Sequence, residues 1–77
     1  MKTYQLEDGG TITAATPELF VSQLRNGSRF DQRRTDEQFM VRFAERYKIQ
    51  TGEDINAENP ETFIKELIRV GYIEEVR

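Results

Sequence analysis

The chain has 77 residues and a net charge of −3, is 36% hydrophobic and 32% charged, and contains neither cysteine nor histidine. A chain of this length buries only about 60% of its unfolded surface, enough for one core and no interdomain cleft, and its balance is too apolar for obligate disorder and too polar for a membrane protein. Without cysteine there is no disulfide framework and no zinc-thiolate site, and without histidine the commonest general base and metal ligand is missing, so no enzyme, cofactor or metal is expected.

Met1 to Gln5 lacks the apolar stretch of a signal peptide, and no apolar run approaches the roughly 20 residues of a membrane span. The expected location is the cytoplasm. From Lys2 to Leu6 the chain alternates as a strand does, with Tyr4 and Leu6 on one face. Glu7-Asp8-Gly9-Gly10 and a second short β-type run, Thr11 to Ala14, complete a hairpin signal. A two-residue Asp8-Gly9 turn sets Leu6 opposite Thr11. A three-residue Asp8-Gly9-Gly10 loop sets Leu6 opposite Ile12 and Tyr4 opposite Ala14, which keeps the apolar side chains on one face, and this register is the expected one.

Three helix starts follow. Thr16-Pro17-Glu18, Thr35-Asp36-Glu37 and Asn59-Pro60-Glu61 each place a capping side-chain oxygen before residues that suit the positive end of a helix. Gln38, three residues after Thr35, completes a capping box. The starts lie 19 and 24 residues apart, which disfavours a solenoid repeat. Asn26-Gly27, Gly52 and Gly71 are the expected left-handed stops, so the helices are placed near 17 to 26, 36 to 50 and 60 to 70. Phe20, Phe39 and Phe63 occupy equivalent places in the three helices and are expected to meet in one core with Leu24, Phe43 and Leu67. Ile55, alone in its loop, is expected to anchor there too.

Tyr72 to Val76 opens on apolar residues that suit the contact beyond a helix C-cap, and it is available as a third strand. A two-stranded hairpin is marginal alone and needs such a strand or a covering helix. The expectation is therefore one α+β domain over residues 1–77: an N-terminal β-hairpin, with or without a C-terminal third strand, packed on three helices.

Charge is unevenly spread. Residues 24 to 48 carry seven basic and four acidic side chains, a local balance of plus three, while the remainder sums to minus six. Within Ser28-Arg29-Phe30-Asp31-Gln32-Arg33-Arg34, arginines flank an aromatic, and Arg29, Phe30, Arg33 and Arg34 are the candidate binding residues. A protein partner is expected, recognised through an exposed strand edge or through this basic segment with Phe30 as its aromatic anchor. The alternative is a nucleic acid bound by the basic segment 25–48, although known nucleic-acid modules are more basic overall. Glu53, Asp54, Glu58 and Glu61 form an acidic cluster, but its order does not match the spacing of a calcium loop, and these residues read as solvated charge.

The run Thr11 to Glu18, continuing through Leu24-Arg25-Asn26-Gly27-Ser28-Arg29-Phe30 and Phe39-Met40-Val41-Arg42-Phe43-Ala44-Glu45-Arg46-Tyr47, resembles a group of short bacterial proteins found in gut Bacteroidetes and their mobile elements. The resemblance spans most of the chain. It implies a small bacterial cytoplasmic protein, and it carries no assigned activity or site residues.

Overall fold

The helices begin where their caps place them. In a computed structural model that describes residues 1–27 and 35–76, the side chains of Thr16, Thr35 and Asn59 accept from the backbone N–H groups of Leu19, Gln38 and Thr62, and open α1 (Pro17–Asn26), α2 (Asp36–Thr51) and α3 (Pro60–Arg69). At α2 the capping box closes reciprocally, because the Gln38 side chain accepts from the Thr35 N–H at 3.1 Å. Each start thus satisfies backbone donors that a helix leaves without partners.

The stops are less uniform than expected. Gly52 ends α2 in the left-handed conformation, with φ of 80°. At α3 the left-handed residue is Gly71, and the Tyr72 N–H donates to the Leu67 carbonyl at 2.9 Å while Gly71 donates to Ile68 at 3.1 Å, the paired bonds of a Schellman motif. Gly27 corrects the expectation. Its φ is −79°, and it closes α1 with an ordinary helical bond to Gln23, so this end demands no left-handed residue.

Ahead of the helices lie β1 (Lys2–Leu6) and β2 (Thr11–Ala14), and after them β3 (Ile73–Val76). All three form one antiparallel sheet in the order β2-β1-β3, so the C-terminal segment does supply the third strand. The hairpin register differs from the expected one by two residues. Tyr4 lies opposite Ile12, and Lys2 opposite Ala14, because the three-residue loop is Glu7-Asp8-Gly9 rather than Asp8-Gly9-Gly10. Gly9 takes the positive φ (96°), and the Asp8 carboxylate accepts from the Gly10 N–H at 2.9 Å, which holds the loop one residue earlier. A shift of two preserves faces, so the apolar side remains Tyr4, Leu6, Ile12 and Ala14, with Ile73 added by β3. Thr3, Gln5, Thr11, Thr13 and Glu74 occupy the other face, where the hydroxyls of Thr3 and Thr13 meet at 2.8 Å.

Between sheet and helices, Phe20, Phe39, Phe63 and Leu67 are at most 1% exposed. Tyr4 meets Phe20 edge-on at 5.0 Å, and Phe39 meets Phe63 at 6.5 Å. Leu24 and Phe43 pack against this core but stay partly exposed, and Ile55 is buried, as its isolation in the loop suggested. The result is an α+β fold on one core, with three helices laid on one face of a three-stranded sheet.

Candidate functional site

The apolar stripe of α2 reaches beyond the core. Phe39 and Met40 are buried, whereas Phe43, Ala44 and Tyr47, one and two turns later, are only partly covered. Phe43 is the junction: its ring lies 5.5 Å from Phe63, 6.0 Å from Phe39 and 5.0 Å from Tyr72. Tyr47 stacks on Phe43 at 5.9 Å with the rings 12° apart, and meets Tyr72 edge-on at 6.1 Å. Offset and edge-on contacts of this kind stabilise beyond simple burial.

Two features bring Tyr72 to this place. The Schellman turn at Gly71 reverses the chain as it leaves α3, and the Glu7 N–H then donates to the Tyr72 carbonyl at 2.9 Å, which fixes the residue at the turn end of the sheet. Two open cavities, of about 490 and 350 Å³, flank the ring cluster and share Phe43, Arg46 and Tyr72 in their walls. Leu6 and Leu24 add apolar wall to the larger one; Glu7 and Gln50 give the smaller one a polar rim. Burial raises the Tyr72 phenol above its ordinary value, with a further push from Asp8 and Glu7, so it stays protonated and able to donate at neutral pH. Rings, a guanidinium, a phenolic donor and two carboxylates make a surface suited to recognition.

At the opposite, open end of the sheet, a third cavity of about 450 Å³ is floored by Tyr4, Ala14 and Ile64. Its rim carries exposed ion pairs, Lys2 with Glu75 at 3.9 Å and Lys65 with Glu61 at 3.5 Å, and the exposed aliphatic side chains of Met1 and Ile68.

The binding residues expected from the sequence, Arg29, Phe30, Arg33 and Arg34, lie outside the described residues. Other members of the basic segment have internal duties. Arg25 donates to Asp36 at 2.8 Å, and Ser22 donates to the same carboxylate at 2.7 Å, which joins α1 to α2. Partial burial works to raise the Asp36 pKa, but these two donors outweigh it and hold the carboxyl below its ordinary 3.8. Lys48 pairs with Asp54 at 2.8 Å. Arg42 and Arg46 are exposed on α2. The acidic cluster is divided among separate cations: Asp54 goes to Lys48, Glu53 to Arg69 at 3.5 Å and Glu61 to Lys65. Among the described residues no three acidic side chains converge on one point, and no helix is long and apolar enough to cross a membrane.

The aromatic groove had a partial signal in the sequence. Phe43 follows from its place after the second helix start, but it reads there as core, and Tyr47 lies one helical turn beyond it. Tyr72 joins them through the turn at Gly71, which the sequence signals, together with the β1–β3 pairing, which no local pattern specifies. No known family model, curated protein or solved structure matches this chain.

Proposed function

We propose that this chain is a small binding module that recognises another protein through the aromatic groove at the turn end of its sheet. The observation that carries this reading is the unbroken path of rings from buried Phe63 through Phe43 to half-exposed Tyr47 and Tyr72, beside the exposed Arg46. Tyrosine and arginine are enriched among the residues that dominate protein interfaces, and a tyrosine on a rigid base loses little conformational freedom when a partner covers it. The rival nucleic-acid reading is weakened by the partly buried bond that commits Arg25 to Asp36. A chain free of cysteine suits a reducing compartment, and we assign the module to the cytoplasm.

The test compares wild type with Tyr47→Ser and Arg46→Glu in affinity capture from the native host, after circular dichroism has established that both variants fold. The expected result is a protein partner retained by wild type and lost by both variants. Binding of random oligonucleotides whose affinity falls about a hundredfold between 50 and 200 mM salt, as neutralising about four phosphates requires, overturns it.

A further inference from the structure

The two edges of the sheet are finished differently. In an antiparallel pair, residues alternate between bonding the neighbouring strand and pointing their backbone groups away from it. The bond from the Glu7 N–H to the Tyr72 carbonyl sets the phase on the β3 side: Glu74 and Val76 bond Gln5 and Thr3, while Ile73 and Glu75 direct their N–H and C=O groups to the free edge. Among the described residues no hydrogen bond covers those groups. On the β2 side the bond from the Leu6 N–H to the Gly10 carbonyl turns Thr11 and Thr13 outward, and there the Gln23 side chain donates to the Thr13 carbonyl at 2.9 Å.

Charge separates the edges as well. The β2 edge, Thr11-Ile12-Thr13-Ala14, carries none. On β3, Glu74 stands on the open face and Glu75 on the helix face, with Glu7 and Asp8 just beyond the Tyr72 end. Among the described residues, Lys2 approaches Glu75 to 3.9 Å. A second copy of β3 laid antiparallel sets glutamates against glutamates, and like charges directly opposite are destabilising. A strand carrying Lys or Arg at alternate positions meets favourable pairs instead.

From unpaired backbone and one-signed charge together, we infer that the free edge of β3 accepts an extended, basic segment of a partner protein as a fourth strand. Main-chain bonds to Ile73 and Glu75 hold it, and its cations, which share one face of the added strand, meet Glu74 on the open face or Glu75 on the helix face according to register. A segment running past Ile73 reaches Tyr72 and Tyr47, which makes the edge continuous with the groove. The inference rests on the protein-binding reading above and names the chemistry of the partner.

The probe is a blocked hexapeptide of alternating lysine and valine. It is compared with a peptide of equal charge in which proline replaces each valine, because proline cannot donate to a ladder. Amide shifts and hydrogen exchange of the full chain report the contact. At saturation the Ile73 and Glu75 amides should exchange more slowly by about tenfold, while those of Glu74 and Val76, already bonded to β1, stay as they are. The proline peptide should leave Ile73 and Glu75 unprotected. The exposed double variant Glu74→Lys, Glu75→Lys should prefer a glutamate–valine peptide. Four results overturn the inference: no protection at millimolar peptide, equal protection by the proline peptide, protection at Thr11 and Thr13 instead, or indifference to the charge reversal. Self-association that protects the same amides without peptide overturns it also. If partner capture still depends on Tyr47 while the peptide fails, the edge alone is refuted; if the peptide docks but Tyr47→Ser leaves capture unchanged, the groove alone is refuted.

Discussion

At the turn end of the sheet, aromatic rings run outward from the core until two of them, Tyr47 and Tyr72, stand half in solvent; at the open end the ring contact of Tyr4 on Phe20 stays inside, and the described surface beyond it is aliphatic with loose ion pairs. Both ends have a cavity of similar volume. They differ in what the cavity wall rests on. Rings supported by Phe63 cannot fold away when exposed, whereas Met1, 93% exposed, is a flexible chain that orders only at an entropic cost. Rigidity under partial exposure, more than cavity size, is what favours the turn end as the proposed binding surface.

The heaviest blow to that contrast is Phe63→Ala, since this ring supports both Phe39 and Phe43. Emptying such a site costs about 3 to 5 kcal/mol, against about 5 to 15 kcal/mol for the whole stability of a domain, and a chain this small belongs near the lower figure. Thermal melting followed by circular dichroism should find the variant largely unfolded at 37 °C. Phe20→Ala and Phe39→Ala should behave alike, and Tyr47→Ala, at the exposed end of the path, should cost far less. Wild-type melting of Phe63→Ala would mean that the rings are not rooted in the core.

Asp36 comes next, because it anchors the start of the helix that carries Phe43 and Tyr47. Asp36→Ala removes two hydrogen bonds made to a charged, partly buried group and should cost about 1.5 to 3 kcal/mol. Chemical shifts should move at Tyr47 and Tyr72 and remain steady at Ile64. The same residue sets a pH dependence. Its folded pKa lies below the unfolded one, so its contribution is present above the ordinary value of 3.8 and is lost as pH falls through that value and below it. The melting temperature of wild type should fall more steeply there than that of Asp36→Asn, and parallel curves would remove Asp36 from the account.

Glycines provide a finer cut. Gly71 holds φ at 82° in the turn that delivers Tyr72, so Gly71→Ala should cost about 1 kcal/mol by chemical denaturation and disturb the groove. Gly27 has a right-handed φ of −79°, and among the described residues a Cβ there meets nothing closer than 3.6 Å. Gly27→Ala should therefore be neutral or stabilise by up to about 1 kcal/mol. Equal losses at the two positions would show that the conformational argument fails.

What was legible in the sequence was what short-range chemistry decides. Thr16, Thr35 and Asn59 cap their own helices, so the starts were readable at Pro17, Asp36 and Pro60, and the buried phenylalanines followed from their shared place after each start. The loop was harder. Asp8 bonds the Gly10 amide, a contact two residues long that competes with an equally short alternative, and the register moved by two while every side chain kept its face. The groove was harder still for a further reason: Phe43 and Tyr72 are 29 positions apart, and their meeting needs the pairing of β3 with β1 as well as the turn at Gly71. The arginine-rich candidate at Arg29, Phe30, Arg33 and Arg34 lies outside the described residues, so the surface proposed here rests on residues that the sequence had assigned to the core and the C-terminal strand.

The smallest expected effect belongs to the open end and tests whether its charges matter. Lys2 and Glu75 approach to 3.9 Å with side chains 65% and 38% exposed, so water screens the pair, and holding two flexible side chains together costs much of what their attraction supplies. Lys2→Ala should change stability by no more than about 0.5 kcal/mol, and raising the salt to 1 M should erase even that. The Arg25–Asp36 pair at the other end, shorter at 2.8 Å and better covered, should resist the same salt. A Lys2→Ala loss well above 1 kcal/mol that survives 1 M salt would mean that the open end is organised and not merely solvated, and the distinction between a rigid and a yielding end would collapse. Near-zero loss leaves Glu75 without a firm intramolecular partner, the condition under which an incoming cation on a neighbouring strand can claim it.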